Sequence, residues 1–275
     1  MYKRQLLNVL QSAGGIVTNP SVKNDVLNKY IIATGTDGYK AIVSAGEIAS
    51  NFGNKPDLLA IQDSSGALPG TNGLARLTAP GDTAGGRYVS NVESLTVASA
   101  PRQLGTGGGV TTSFTVGGSV ATDLTLNLAS LQTLTPHTET VTYMMGSTSV
   151  TDTYTGVLLW DVLTSAGIET DPSIKNDILR KLITVTGSDG YQVAFAAGEL
   201  SPMFGNEQIL VAYADTNGQL GSDGPDGFVR LVVPGDLAGG RYVSNIAEIS
   251  VFDGVAAAVP EPSTWAMMIL GFLGV

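Results

Sequence analysis

Arginines beside glycine-rich turns are the side chains of this sequence best suited to bind an anion. Arg87 and Arg241 lie in segments 80–91 and 234–245, which share the same residue at 11 of 12 positions. A guanidinium group can hold an anion through paired hydrogen bonds, but it can equally fix a loop by pairing with a carboxylate. For the second segment, the loop alternative would use Asp236 or Asp189, and both alternatives stay open.

An oxygen-rich loop after residue 214 offers a second kind of chemistry. Asp215, Asn217, Asp223 and Asp226 lie close enough in sequence to surround a calcium ion, which prefers several hard oxygen ligands. The loop lacks the residue order and the terminal glutamate of an EF-hand. A solvated turn is therefore the alternative prediction.

Composition excludes several other functions. The chain has no cysteine, so it can form neither disulfides nor thiolate-held metal sites. His137 is its only histidine, which rules out a histidine cluster. Its position after Pro136 in a polar stretch predicts a surface residue. A formal charge of −10 without a basic stripe argues against a nucleic-acid partner.

The repeated segment belongs to a larger duplication. An apolar stripe at helical spacing occurs at 6–13 and 159–166, and an Asp-Gly hairpin follows it at 31–43 and 182–195. Glu47 and Glu199 occupy matching positions, each predicted to lie in the first turn of a short helix. These helices are expected over 45–52 and 197–204.

The fold class predicted from these elements is α+β, with β-rich mixed sheets and short helices. The first copy has no counterpart of residues 114–156, so we expect it to be truncated. The predicted organisation comprises a truncated repeat (1–98), a glycine-rich linker (99–112), a complete repeat (113–253) and a C-terminal segment (254–275).

The second copy resembles the molybdopterin-binding oxidoreductase domain of the sulfite oxidase type. The resemblance rests on the order and spacing of several stretches, which are Phe114–Gly118, Leu124–Leu126 with Leu128, Gly156–Leu163, Ala166–Ile168, Asp189–Tyr191, Leu220 after Asn217-Gly218, and Arg230–Gly235. It implies two copies of a sulfite-oxidase-type fold, the first of them incomplete.

The resemblance also implies a cofactor and its ligands. In the family a cysteine thiolate holds molybdenum after a run similar to Glu139–Tyr143, where this sequence has Met144-Met145-Gly146. A thioether is neutral and is a weak replacement for a thiolate. Arginines around the repeated loop grip the pterin, which nominates Arg76, Arg87, Arg230 and Arg241. No cofactor is therefore expected, although molybdopterin is the one that the family implies.

The C-terminal segment resembles the PEP-CTERM sorting signal of exported bacterial proteins. Pro260-Glu261-Pro262 precedes an apolar run that starts at Trp265 and has 11 residues (275 − 265 + 1), against about 20 for a spanning helix. The resemblance implies a truncated signal, a processing enzyme of the exosortase type, and membrane contact only through this segment. It also implies the surface or matrix of a Gram-negative bacterium, with exopolysaccharide as a partner.

The leading hypothesis is an exported, non-catalytic binding or matrix module built from two degenerate domains of this kind. One alternative is an active molybdopterin-dependent oxidoreductase that holds its cofactor through Arg230 and Arg241. The other is a calcium-stabilised adhesin.

Overall fold

The structure, a computed structural model, describes residues 3–68, 70–221 and 226–256. Its strands are β1 (Lys3–Gln5), β2 (Lys29–Gly35), β3 (Lys40–Ser44), β4 (Leu58–Ala60), β5 (Gln62–Asp63), β6 (Gly66–Ala67), β7 (Arg76–Thr78), β8 (Val92–Ser99), β9 (Ser113–Gly118), β10 (Leu124–Asn127), β11 (His137–Met145), β12 (Thr148–Leu158), β13 (Lys181–Gly187), β14 (Gln192–Ala196), β15 (Leu210–Asp215), β16 (Gly218–Gln219), β17 (Arg230–Val232) and β18 (Ile246–Asp253). The α-helices are α1 (Leu6–Ser12), α2 (Ala45–Ile48), α3 (Leu128–Leu131), α4 (Leu159–Ala166) and α5 (Ala197–Leu200). Short 3₁₀ helices cover Asp25–Asn28, Gly85–Arg87, Asp177–Arg180 and Gly239–Arg241.

Residues 113–256, the C-terminal half, form two sheets. One has the strand order β10-β9-β18-β13-β14, and its neighbours are antiparallel except for β9 and β18. The other has the order β11-β12-β15-β16, with β17 paired to β15. The predicted mixed sheets with few short helices are confirmed.

Residues 3–100, the N-terminal half, have a smaller set of the same pairings. The order β3-β2-β8 corresponds to β14-β13-β18, and β1-β4-β7 corresponds to β12-β15-β17. Even the register irregularity recurs, since β2 shifts against β8 at Thr34/Gly35 and β13 shifts against β18 at Thr186/Gly187. The N-terminal half has no counterpart of β9, β10 or β11 among the described residues.

Strands β2 and β13 are buried along nearly their whole length because both of their faces are covered. In β2, Ile31 and Ala33 face the core of their own half, whereas Tyr30 and Ile32 join a cluster that also contains Leu182 of β13. Alternate residues of the two central sheets therefore pack against each other. This part of the contact between the halves is apolar.

Two local predictions were wrong in extent. The helices expected over 45–52 and 197–204 end after one turn, at Ile48 and Leu200, because the next residue is already extended. In the C-terminal half that residue is Ser201, and the proline after it disfavours helical torsions.

The linker predicted to be flexible is held against the C-terminal half. Gln103 N–H donates to Gln192 Oε1 (2.7 Å), and Gly108 N–H donates to the carbonyl oxygen of Ser188 (2.8 Å). The predicted sorting signal around Pro260–Pro262 lies outside the described residues.

Candidate functional site

The first repeated loop places Arg87 in a closed ionic cluster. Its Nε and one terminal nitrogen donate to the two oxygens of Asp82, at 2.8 and 2.6 Å. The other terminal nitrogen donates to both oxygens of Glu47, at 2.7 and 2.8 Å. Arg87 is only 2% exposed, so every face of its guanidinium group is enclosed.

The second loop repeats this cluster around Arg241. Its Nε and one terminal nitrogen donate to the two oxygens of Asp236, at 2.8 and 2.5 Å, and the remaining nitrogen donates to Glu199 Oε1. Arg241 is also 2% exposed. The loop alternative predicted with Asp236 is confirmed, whereas Asp189 accepts a hydrogen bond from the backbone N–H of Tyr191 in its own turn (2.9 Å).

Arg241 packs against α2 of the N-terminal half, and Arg87 packs against α5 of the C-terminal half. Each of these helices has a glycine at the point of contact. A Cβ atom at Gly46 of α2 would come within 2.9 Å of Arg241 Cδ, and one at Gly198 of α5 would come within 2.7 Å of Arg87 Cδ. Ser44 Oγ also donates to Glu199 Oε2 across the interface (2.9 Å). The two clusters therefore meet at the centre of the molecule.

Further reciprocal contacts fix the two loops. Tyr39 Oη donates to the carbonyl oxygen of Gly86 (2.6 Å), and Asn176 of the opposite half donates to Tyr39 Oη (2.9 Å). In the second loop, Tyr191 Oη donates to the carbonyl oxygen of Gly240, and Asn24 donates to Tyr191 Oη. Both loops are therefore held from both halves.

The clusters carry an excess of acid. Two arginines face the four carboxylates of Glu47, Asp82, Glu199 and Asp236, a formal charge of −2 (2 − 4). Burial raises the pKa of Glu47 well above its usual range, although Arg87 acts against it, and burial also raises the pKa of Asp236. Because both guanidinium groups are buried against these carboxylates, neither is open to an added anion.

Asp57 is a further buried carboxylate beside the first cluster, 2% exposed. Burial raises its pKa to about 6, against the lowering effect of Arg87. Its Oδ2 atom has no hydrogen-bond partner among the described residues. The C-terminal half has Ile209 at the matching position, so this additional carboxylate has no equivalent at that position of the second cluster.

The other two predicted arginines, Arg76 and Arg230, are partly exposed. Arg230 donates to Asp226 Oδ2 (2.8 Å), and its guanidinium group lies 5.4 Å from the ring of Tyr154 and 5.7 Å from that of Tyr242. Arg76 lies 5.4 Å from the Tyr88 ring. Of the four nominated arginines, these two are the ones that a ligand could reach.

The position predicted for the metal-binding cysteine lies at the end of the β11–β12 hairpin. Met144 is 39% exposed and Met145 is 63% exposed, and Met144 N–H donates to the carbonyl oxygen of Leu237 in the second loop (2.9 Å). Behind them, the Tyr143 ring stacks on that of Tyr242 at 4.2 Å. Burial raises the pKa of Tyr242, so its phenol stays protonated.

Two of the predicted calcium ligands make local hydrogen bonds. Asp215 Oδ1 accepts the N–H of Asn217 (2.7 Å) within the β15–β16 turn, and Asp226 is bonded to Arg230 and to Ser244 Oγ. Asp223 lies outside the described residues. His137, predicted at the surface, is 36% exposed in its side chain, with Nε2 at 3.9 Å from Asp161 Oδ2.

Two kinds of feature are absent from the described ranges. Residues 3–68, 70–221 and 226–256 contain no group of three or more histidine, cysteine, aspartate or glutamate side chains placed to hold a metal ion. None of the helices in this part of the chain has the length and apolar character needed to cross a membrane.

Sequence reasoning missed the arginine partners Glu47 and Glu199, which it assigned to helix dipoles. One signal could have revealed them. Both follow Ala-Gly in an apolar stretch of each repeat, and a carboxylate between apolar residues at a matching position requires a buried cation.

Comparison with known proteins gives one family match. The family model described as the oxidoreductase molybdopterin binding domain matches residues 110–259. Among solved structures, the crystal structure of the sulfane dehydrogenase SoxCD from Paracoccus pantotrophus is similar, with 17% sequence identity and a TM-score of 0.41. That similarity covers 71% of this chain and 50% of the other, so this chain spans about half of its length. No curated protein sequence matches.

Proposed function

Because the chain belongs to the family of the oxidoreductase molybdopterin binding domain, we propose that it is a member without the metal ligand, which acts as a non-catalytic binding or matrix module. The observation that carries this proposal is Met144, an exposed thioether where the resemblance places a cysteine thiolate. A thioether neither neutralises nor anchors a high-valent metal. The residues present therefore do not fit a thiolate-held molybdenum centre.

The repeated arginines support the same proposal. All of the hydrogen bonds from Arg87 and Arg241 described above end on buried carboxylates, and the clusters are formally negative. A molybdopterin carries a phosphate, which such a centre disfavours. In this proposal Arg87 and Arg241 join the halves, and only Arg76 and Arg230 remain for contact with an anionic ligand.

We also propose that the N-terminal half is a second copy of the same domain, in which residues 3–100 contain the part that matches β12 to β18. The near-identical loops, the matching strand orders and the matching register irregularities support this assignment. The family match itself covers only residues 110–259.

Export, a processing enzyme of the exosortase type and an exopolysaccharide or matrix partner are also proposed. Their support is the sequence pattern at Pro260–Pro262 and Trp265–Val275 alone.

Metal and pterin analysis tests the proposal. The chain would be produced in a host that makes molybdopterin, and both components would be measured per chain in the wild type and in the Met144→Cys variant. We expect far less than one molybdenum per wild-type chain. A stoichiometric content of molybdenum and pterin in the wild type would overturn the proposal and favour the active oxidoreductase. A content that rises only in Met144→Cys would show that the missing thiolate is the reason for the loss.

A further inference from the structure

A cavity of about 310 Å³ lies between the N-terminal half and the segment that follows it. Its lining comes mainly from residues 17–29 and from residues 99–102. Three of the lining residues are charged, namely Asp25, Lys29 and Arg102. The formal charge of the lining is therefore +1 (2 − 1), in a chain whose formal charge is −10.

The matching place in the C-terminal half is electrically balanced. It carries four charged residues whose formal charges cancel, and these are Asp177, Arg180, Lys181 and Asp253. Lys181 Nζ lies 3.0 Å from Asp177 Oδ2 and 3.9 Å from Asp253 Oδ2. The N-terminal half has Asn28 and Ser99 in place of the arginine and the second aspartate. Its excess positive charge therefore comes from Arg102.

The polar groups of the cavity define what it can bind. Lys29 Nζ donates to Ser99 Oγ (2.6 Å) and lies 3.2 Å from Asp25 Oδ2. Arg102 is exposed, and its side chain makes no hydrogen bond or ion pair with another described residue. Asn28 Oδ1 is buried without a hydrogen-bond partner in the described part of the chain. The lining thus offers a guanidinium group to an acid and an acceptor to a donor.

The described part of the C-terminus ends beside this cavity. Tyr30 Oη donates to the carbonyl oxygen of Gly254 (2.8 Å). Val255 packs against an apolar cluster that includes Ala100, which also lines the cavity. The chain therefore continues beyond Ala256 from a point close to the cavity.

Glu261 is the only charged residue among residues 254–275. It follows Ala256 by five residues (261 − 256), and five extended residues span up to about 17 Å. A tether of this length gives an effective concentration in roughly the millimolar range, at which even a weak ion pair forms. Residues 257–275 themselves lie outside the described part of the chain.

We propose that this cavity is a docking site for residues 260–264 of the same chain, in which the carboxylate of Glu261 pairs with the guanidinium group of Arg102. A guanidinium group binds a carboxylate through two parallel hydrogen bonds. The hydroxyl group of Thr264 is a donor of the kind that Asn28 Oδ1 lacks. The segment therefore supplies both groups that the lining can bind.

The tether favours this segment over other carboxylates, because a second copy or a free ligand would have to bind without it. While the segment is docked, the tripeptide Pro260–Pro262 is withheld from a processing enzyme. That consequence rests on the proposed export, whereas the docking is a property of the purified chain. A test on purified protein therefore separates the two.

Disulfide trapping tests the proposal, because the chain has no cysteine of its own. The full chain would carry Ser263→Cys together with Thr18→Cys, at an exposed residue of the cavity lining. The matched control carries Ser263→Cys together with Ser149→Cys, at an exposed residue of β12. In oxidised glutathione at a fixed concentration, we expect the cavity pair to form its disulfide within one chain at least about tenfold faster than the control pair.

Charge reversal separates docking from chance collision of the two cysteines. In the chain with the cavity pair, Arg102→Glu changes the formal charge of the lining from +1 to −1 (1 − 2). It should slow trapping at least about threefold, because the lining then repels Glu261. Adding Glu261→Arg should restore most of the rate, since the two charges are again opposite.

Three results would overturn the proposal. Equal trapping rates for the cavity pair and the control pair are one. Equal rates with and without Arg102→Glu are another, because the contact would then be independent of the ion pair. The third is a disulfide formed mainly between two chains, seen as a dimer on a non-reducing gel, since a second copy would then occupy the cavity.

Discussion

The ionic clusters occur in both halves of the molecule, whereas the segment from β9 to β11 occurs in one half of the described chain. The clusters around Arg87 and Arg241 each contain a buried arginine bonded to one aspartate and one glutamate of its own half. Strands β9, β10 and β11, which include the position predicted for the metal ligand, occur among the described residues in the C-terminal half alone. The feature present in both halves is the one in which each arginine packs against the opposite half.

Small differences between the clusters make the halves complementary. Lys55 and Glu207 occupy matching positions and form an ion pair across the interface. Ser44 donates to Glu199, whereas its counterpart Ala196 has no hydroxyl group. Two N-terminal halves would place lysine against lysine, so these differences favour pairing within one chain.

Removing the arginine of either cluster should lower the free energy of unfolding most. Arg241→Met leaves Glu199 and Asp236 buried without their cation, and breaking a buried pair in this way costs about 3–5 kcal/mol of unfolding free energy. Urea unfolding of Arg241→Met and Arg87→Met should give similar losses. Arg76→Met, which removes a partly exposed arginine, is the matched control and should lose less than about 1 kcal/mol. Losses below about 1 kcal/mol in the first two variants would contradict a structural role for the clusters.

The pH dependence of stability tests the effect of the buried Asp57 carboxylate beside the first cluster. Its folded-state pKa of about 6 exceeds the unfolded value of about 3.9. Protonated Asp57 thus contributes stability that is fully present below pH ~4 and is lost as pH rises through ~6. Asp57→Asn should therefore be more stable than the wild type by about 2–3 kcal/mol at pH 7.5, with the difference vanishing near pH 4. Denaturant midpoints across this range measure it, and a difference independent of pH would rule out this ionisation as its cause.

Two adjacent glycines of the first repeated loop, Gly85 and Gly86, test how closely that loop packs against the C-terminal half. A Cβ atom at Gly86 would lie 2.2 Å from Phe204 Cε1, whereas one at Gly85 has no atom closer than 3.8 Å. Gly86→Ala should cost about 1–3 kcal/mol through overpacking, because Phe204 is buried and cannot move aside. Gly85→Ala controls for the loss of glycine, and equal effects of the two variants would contradict this packing.

Breaking the ion pair between Lys55 and Glu207 should change the free energy of unfolding least. Lys55 is 39% exposed in its side chain, so its pair with Glu207 is partly screened. Lys55→Glu should cost less than about 1 kcal/mol, and the double variant with Glu207→Lys should recover most of that loss. A double variant no more stable than Lys55→Glu alone would show that the pair is not coupled.

Much of the fold could be predicted from the sequence because local signals are strong. The Asp-Gly turn at Asp189 and the apolar run of β13 gave the hairpin correctly, and Gly167 ends α4 in the left-handed conformation as expected. The prediction extended the helix beginning at Ala197 too far, because Phe204 continues the apolar pattern but packs from an irregular segment beyond Leu200.

The candidate site was less accessible to sequence reasoning. Pairing of Arg241 with Asp236 is local, over five residues, and was among the predicted alternatives. Its pairing with Glu199 spans 42 residues and depends on how the sheets pack. The contact with Gly46 depends on how the two halves meet, which no local pattern encodes.

Native-state hydrogen exchange tests most directly whether the reciprocal clusters make the two halves one cooperative unit. Amides in β2 and in β13, the matching central strands, would be followed by mass spectrometry under conditions where exchange reports opening free energies. If the clusters join the halves, the two strands open with the same free energy, within about 1 kcal/mol, and both lose protection together in Arg241→Met. Opening of β2 at a free energy several kcal/mol below that of β13 would contradict this conclusion, because the N-terminal half would then unfold on its own.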